Sequence, residues 1–394
     1  MDRVFVGFYN LTKQNAILYI CTILVLCTLY GAQPIQPLFQ EEFALNGFQA
    51  VIFTTVIMFP LGIAPLFYGY ALESWSSRQT LRVTLLLLGL LEVCFAFSNS
   101  YIVLIAIRAA QGFLIPAALT SLISYVSTSS THENIQRALG NYVAMTIMGG
   151  FLGRLFSGIL SEYFGWRPFF FLVGVGLLIS FFAILGVTKD AKATFVKPTK
   201  KEVVNVLKIR HNFFIYATIF CVFFTFQGVL NFLPFELKSI NENLGESKVG
   251  LMYAGYIIGL ITALNVTRII GFFKGERRAM LAGMCIYIAG LGMFNVEDFS
   301  VMFGSMFVFC LGMFMVHSIA TGFVNKMAKE HKSITNGLYL SFYYAGGTLG
   351  SFLPGVFYQY LGWHIFLSFL GFVLICGMGF LILLKKMPQH QNLV

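Results

Sequence analysis

Long apolar stretches alternate with short polar connections from one end of the chain to the other. Each stretch is about 18 to 25 residues long, the length a helix needs to cross roughly 30 Å of hydrocarbon at about 1.5 Å per residue. They predict twelve spans, near 15–38, 49–71, 80–97, 101–124, 136–161, 167–187, 212–234, 248–272, 279–296, 300–324, 335–360 and 364–384. The alternating polar and apolar residues of a membrane barrel strand do not compete with this pattern. The longest polar stretch follows the sixth span and carries Lys189, Lys192, Lys197, Lys200, Lys201, Lys208 and Arg210 against Asp190 and Glu202. An all-α integral membrane protein is expected, with a six-helix bundle at 1–188, a basic linker at 189–211 and a second six-helix bundle at 212–394. Within the linker, Val203, Val204, Val206, Leu207 and Ile209 fit either a short amphipathic helix on an anionic leaflet or a solvated connection.

The two halves repeat. Gly140/Gly337, Tyr142/Tyr339, Gly149/Gly346, Gly150/Gly347, Gly153/Gly350, Gly158/Gly355, Tyr163/Tyr360, Gly165/Gly362, Trp166/Trp363 and Phe169/Phe366 are identical pairs, each separated by half of the 394-residue chain. Gly31/Gly228 and Pro37/Pro234 keep the same spacing near the start of each half. Duplicated halves in a membrane protein point to a device that rocks about a site between them.

Composition agrees with the bilayer, with 58% hydrophobic residues and 11% charged, against about 25% charged in soluble domains. The formal charge of +10 is read as topology rather than as nucleic-acid binding. Most of the Lys and Arg fall on one side of the alternating helices, among them Arg78, Arg82, Arg137, Lys274, Arg277, Arg278, Lys326, Lys329, Lys332, Lys385 and Lys386. Arg167, Lys238 and Lys248 fall on the other. That bias predicts both termini in the cytoplasm and an inner-membrane location. All seven cysteines lie in apolar spans without metal-ligand spacing, so they are read as packing residues. The first span carries Gln33, Pro34, Gln36 and Pro37 where a cleavage site needs small residues, and it is expected to stay. With no phosphate loop and no nucleophile paired with a base, neither an enzyme nor a direct ATP-driven pump is expected, and no cofactor, metal or catalytic residue is assigned.

Three motifs carry a family resemblance. The connection after the second span reads Gly69-Tyr-Ala-Leu-Glu73-Ser-Trp-Ser-Ser-Arg78, the fourth span carries Arg108-Ala-Ala-Gln111-Gly112, and the fifth has Gly140, Gly149, Gly153 and Gly158 in fixed register. With six plus six spans and a basic central loop, this chain resembles the major facilitator superfamily, and its fifth span resembles the exporting branches. The first motif departs from the family pattern in its serines, and the fifth-span motif carries Arg154 where the family has proline. The resemblance implies a conformational latch at Gly69, Glu73 and Arg78 and a coupling role for Arg108. Glycines four apart allow close helix approach in lipid. A hinge or sliding contact between the halves is therefore expected at Gly149, Gly153, Gly158, Gly346 and Gly350.

An intramembrane guanidinium needs an acceptor. Glu92 and Arg108 are mirror positions about Ser100, each about 12 Å below the surface at about 1.5 Å per residue, and Arg154 counts to a similar depth from Glu162. One cluster of Glu92, Arg108 and Arg154 is expected, suited to carboxylate or phosphate because Arg grips both bidentately. The structural alternative is that Arg154 pairs with Glu92 or snorkels to the surface and never meets substrate. In the family, spans one, four, seven and ten line a central cavity. This implies a lining of Gln33, Gln36, Gln111, Gln227, Asn231 and His317, with Tyr339, Tyr343 and Tyr344 of span eleven near substrate. His317 is read either as a proton relay or as a helix-to-helix hydrogen bonder. The 44 Phe are expected to face mostly lipid. The reading is a monomeric secondary transporter in the bilayer that exports a small anionic solute, such as a polycarboxylate siderophore, against protons. Uptake of a similar solute, multidrug efflux of cations and a non-transporting membrane protein are the alternatives.

Overall fold

The computed structural model describes residues 2–71, 76–128, 135–186, 199–327 and 332–384. The first half is built from α1 (Asp2–Tyr30), α2 (Gln36–Glu42), α3 (Gly47–Ala71), α4 (Ser77–Phe97), α5 (Tyr101–Thr128), α6 (Ile135–Phe164) and α7 (Arg167–Leu185). The linker contributes α8 (Lys200–Lys208). The second half contains α9 (Arg210–Ile240), α10 (Glu246–Met252), α11 (Tyr256–Leu264), α12 (Val266–Phe272), α13 (Glu276–Met293), α14 (Phe299–Met327), α15 (Lys332–Phe352) and α16 (Gly355–Leu383). Nine helices among the described residues are long and apolar enough to span a membrane. Of the other three expected spans, Ala16–Tyr30 is a shorter apolar run that stops at a break, α13 spends its first turn on Glu276, Arg277 and Arg278, and α15 opens on the polar Lys332, Ser333, Thr335 and Asn336.

The breaks follow from local chemistry. Pro34 has no N–H and its ring clashes with the carbonyl four residues earlier, so α1 ends at Tyr30. Pro37 then sits in the first turn of α2, where a missing N–H is harmless. The repeat position of Pro34 is Asn231, and α9 runs unbroken through it. The eighth span is interrupted by a 3₁₀ turn at Tyr253–Gly255. In both halves the chain turns a corner at a left-handed glycine, Gly165 (φ 77°) and Gly362 (φ 80°), in front of a buried tryptophan. The linker helix starts at a capping box between Thr199 and Glu202 and buries Val206 against the second half.

The repeat is visible in packing. A Cβ on Gly149 would meet Ile23, and one on Gly346 would meet the repeat-related Phe220. Gly153 lies on Cys27 and Gly350 on the repeat-related Phe224. These four glycines therefore seat α6 on α1 and α15 on α9 inside their own halves, whereas the sequence suggested a seam between halves. The seam does use Gly158, which abuts Glu246 and Gly250 of α10. Fifteen phenylalanines among the described residues are buried. Phe39, Phe53, Phe95, Phe170 and Trp166 form one such core, with Phe39 and Phe53 centroids 4.4 Å apart.

We call the side carrying the start of α1 and the end of α16 the terminal face and the opposite side the distal face. Cross-half packing runs between α3 and α15, between α6 and the α10–α11 segment, and between α2 and α9. At the distal side Phe48 meets Phe352, Thr55 bonds Ser351 at 2.8 Å, and the Glu162 carboxylate accepts the Ser247 N–H at 2.8 Å on the first turn of α10. No comparable packing joins α5 to α14 among the described residues. The distal side is closed.

Candidate functional site

The break between α1 and α2 points Gln33 and Gln36 at α9, and there the halves interlock through amides. Gln33 Nε2 donates to Gln227 Oε1 and to Asn231 Oδ1, both at 3.1 Å. Gln36 Nε2 donates to Asn231 Oδ1 at 3.0 Å and to Thr54 Oγ1 at 2.7 Å. Thr54 Oγ1 also reaches Asn231 Oδ1 at 2.7 Å, and Asn231 Nδ2 donates to the Ser351 carbonyl at 2.8 Å. Gln33, Gln36, Gln227 and Asn231 thus come together as expected, but in this state they bind one another. They form a closed polar knot on the distal side of the centre.

Arg154 lies beneath that knot. Its Nε donates to Gln33 Oε1 at 2.7 Å and its Nη1 to the Gly150 carbonyl at 2.6 Å. The guanidinium sits over Tyr30 at 4.1 Å, Tyr256 at 4.8 Å and Tyr253 at 5.0 Å, one ring from the first half and two from the second. Such ring contacts contribute about 0.5 to 2 kcal/mol each. Arg154 is fully buried, Nη2 has no hydrogen-bond partner, and no carboxylate pairs with it among the described residues. The small residues of the seam make room for it, since Gly250 of α10 packs against the Arg154 backbone.

The expected single cluster is divided. Arg108 points into the first half, where its Nη1 donates to the Thr28 carbonyl at 2.7 Å and to Gln111 Oε1 at 3.1 Å, between the rings of Phe95 (5.1 Å) and Phe170 (5.5 Å). Glu92 is buried beside it on α4, within electrostatic reach of the Arg108 guanidinium but forming no ion pair among the described residues, next to the side chains of Thr28 and Gln111. Arg154 therefore does not pair with Glu92. The two contacts fall on different stretches of chain: Arg108 holds Thr28 within α1 from inside the bundle, and Arg154 holds Gln33, past the end of α1, at the interface.

On the other wall, Tyr343 stacks on Phe223 with centroids 3.6 Å apart and an angle of 13°. His317 packs against Tyr343 at 4.7 Å, and its Nδ1 lies 3.0 Å from the Tyr339 hydroxyl, which also bonds Thr321. His317 thus acts here as a hydrogen bonder between α14 and α15. His317, Tyr343 and Tyr344 are only partly buried. Of the expected latch, Gly69 lies in α3 and Arg78 in the first turn of α4, while Glu73 lies outside the described residues. Thr54, Ser351, Tyr30, Tyr253 and Tyr256 were not anticipated. The repeat held the signal for two of them, because Ser351 is the repeat position of Arg154 and Tyr30 that of Gln227.

A duplicated helical bundle with its polar side chains gathered at the seam of the halves is the architecture of a multi-pass membrane transporter. The family model described as Major Facilitator Superfamily matches residues 18–274 and 240–393. The chain belongs to that superfamily. It is 25% identical to the uncharacterized MFS-type transporter YybF of Bacillus subtilis, over 92% of each chain. It is 24% identical to the inner membrane transport protein YnfM of Escherichia coli, over 89% of this chain and 85% of the relative. It is 21% identical to the quinolone resistance protein NorA of Staphylococcus aureus, over 89% of this chain and 91% of the relative.

Proposed function

We propose that this protein exports a small organic anion in exchange for protons, by alternating access, with Arg154 as the anion-holding group. One observation carries the reading: a fully buried guanidinium lies at the seam of the halves with an unpartnered Nη2 and no carboxylate. A charge left this way costs several kcal/mol. Tyrosine faces offset part of it, and a carboxylate of the cargo would complete the pairing through the free N–H groups. The tyrosine and phenylalanine walls favour a cargo with an apolar body.

The basic residues of the terminal face, Arg78, Arg82, Arg277 and Lys326 among them, support a cytoplasmic position for that face in an inner membrane. With the distal side closed, Arg154 and Tyr343 would load from the cytoplasmic side. Opening requires the amide knot to release, which frees Gln33 from Asn231 and exposes Arg154 to the outside. Glu92 is the group we assign to the proton. It is buried beside Arg108, and Arg108 holds α1 through the Thr28 carbonyl a few residues before Gln33. Similarity to a quinolone resistance protein supports the export direction.

The test is a thermal-shift screen of purified protein against polycarboxylates, including a citrate-type siderophore, and against lipophilic cations. A ligand at 100 times its dissociation constant that binds only the folded state stabilises it by about 2.7 kcal/mol. Carboxylates are expected to stabilise the wild type and not Arg154→Gln, and proteoliposomes then give direction from uptake driven by an imposed pH gradient. Stabilisation by cations alone, equal in both proteins, sinks the anion site.

A further inference from the structure

The distal face carries a cavity of about 700 Å³ directly outside the amide knot. Its position follows from chain neighbours: Pro37 follows Gln36, Phe232 follows Asn231, and Gly355 lies just past Ser351. The volume falls in the range of about 300 to 1,000 Å³ typical of small-molecule sites. One wall is the α2–α3 turn of the first half, the other α9 and the start of α16 of the second.

Its chemistry is opposite to that of the centre. Phe48, Phe232, Phe235 and Tyr358 supply aromatic surface from both halves, with Phe232 and Tyr358 centroids 5.5 Å apart. Lys238 lines the cavity, but its ammonium is held by Glu246 at 2.8 Å. Nearby Glu42 is held by Arg167 at 2.9 Å and by the Trp166 indole. Glu41 also lines the cavity and is exposed, and its carboxylate has no ion-pair or hydrogen-bond partner among the described residues. A slot with aromatic walls and one unneutralised carboxylate at its rim recognises an organic cation with a flat apolar body, through ring faces and charge together.

We propose that this vestibule is an external binding site for aromatic organic cations, whose occupancy holds the distal side shut. Its walls come from both halves, and the opening of the distal side would pull them apart. A ligand that binds the assembled walls therefore favours the closed state by its differential affinity for the two states. The site acts on the cycle from outside and is independent of the cargo carried at Arg154.

Propidium, a membrane-impermeant aromatic dication whose fluorescence rises in apolar surroundings, is the probe. It is added outside zwitterionic-lipid proteoliposomes sorted for the distal face outward. Saturable binding is expected, weakened at least tenfold by Glu41→Gln and by Phe48→Ala, unchanged in Arg154→Gln, and absent from vesicles with the terminal face outward. In an Asn231→Leu background carrying spin labels at positions 46 and 359, propidium is expected to restore the short distance of the closed state. Binding indifferent to both vestibule substitutions, binding lost with Arg154, or a label distance that propidium leaves unchanged overturns the proposal. Because Arg154→Gln is read separately, failure here is distinguishable from failure of the central anion site.

Discussion

Replacing Asn231 with leucine, which has nearly the same shape, removes the centre of the amide knot. Asn231 Oδ1 accepts from Gln33 at 3.1 Å, Gln36 at 3.0 Å and Thr54 at 2.7 Å, and all three donors belong to the other half. Each hydrogen bond contributes about 0.5 to 1.5 kcal/mol net. The three donors are not left empty, because Gln33 keeps Gln227, Gln36 keeps Thr54, and Thr54 keeps the Val51 carbonyl. We therefore expect the closed state to lose about 2 to 3 kcal/mol relative to the distal-open state, in the middle of the range of about 1.5 to 4.5 kcal/mol for three lost bonds. At about 1.4 kcal/mol per decade this is a shift of about 30- to 150-fold in the conformational equilibrium. Spin labels at Asn46 and Gln359, exposed residues on opposite walls of the vestibule, report it directly once the exposed Cys94 and Cys285 are replaced by alanine. The wild type should give one short distance, and Asn231→Leu a dominant longer one. The same short distance in both proteins would show that the knot is incidental and that helix packing alone closes the distal side.

Other substitutions separate the seam from the scaffold. In Gly158→Leu the new Cβ overlaps the Glu246 carbonyl and meets Gly250 Cα at 3.2 Å, both backbone atoms of the other half, so it should open the distal side with little loss of melting temperature. Unchanged label distances would refute that placement. Gly153→Leu instead meets Cys27 Cα at 2.8 Å within its own half. It should destabilise the fold by about 1 to 3 kcal/mol, read as a lower melting temperature, and a normal melting temperature would contradict the packing. Glu92→Gln should abolish uphill transport driven by a pH gradient while exchange of labelled for unlabelled cargo persists, and retained uphill transport would release Glu92 from the proton role.

The helical architecture was legible because membrane spans are written in length and hydropathy, and the repeat was legible because glycines at packed seams cannot be replaced freely. Contact partners were less legible. Gly153 and Gly158 share one helix and one motif, yet one faces α1 and the other α10, a difference set by rotation about the helix axis. Depth counted along the chain put Arg108, Glu92 and Arg154 on one level but left their azimuth open. As a result a single cluster was expected where two exist on different sides of α1. The Arg154 cage escaped notice because tyrosine inside an apolar span reads as ordinary membrane sequence. Its meaning comes from three rings converging from two halves.

Comparison of repeat positions shows how a symmetric scaffold acquires a directional site. The glycine contacts of Gly149 and Gly153 recur at Gly346 and Gly350 on repeat-related partners, so the packing that lets each half move as a unit is duplicated. The chemistry is not. Arg154 corresponds to Ser351, Arg108 to Ser305, Glu92 to Ala289 and Pro34 to Asn231. Both buried guanidiniums, the carboxylate beside one of them and the break at Pro34 therefore belong to the first half, while the second supplies neutral partners: the Asn231 amide, the Ser351 carbonyl and two of the three tyrosine faces. On the proposed function, the charge assigned to the cargo and the charge assigned to the proton would move together with one rigid body, and the other body would need only to release neutral hydrogen bonds as it rocks away. Exchanging the sides, with Arg154→Ser and Ser351→Arg in one chain, tests this division. Ser351 is fully buried between Thr55 and Asn231, and its space is already filled by their hydrogen bonds. The swap should abolish cargo binding and lower the melting temperature, whereas a transporter indifferent to which half carries the charge would keep both.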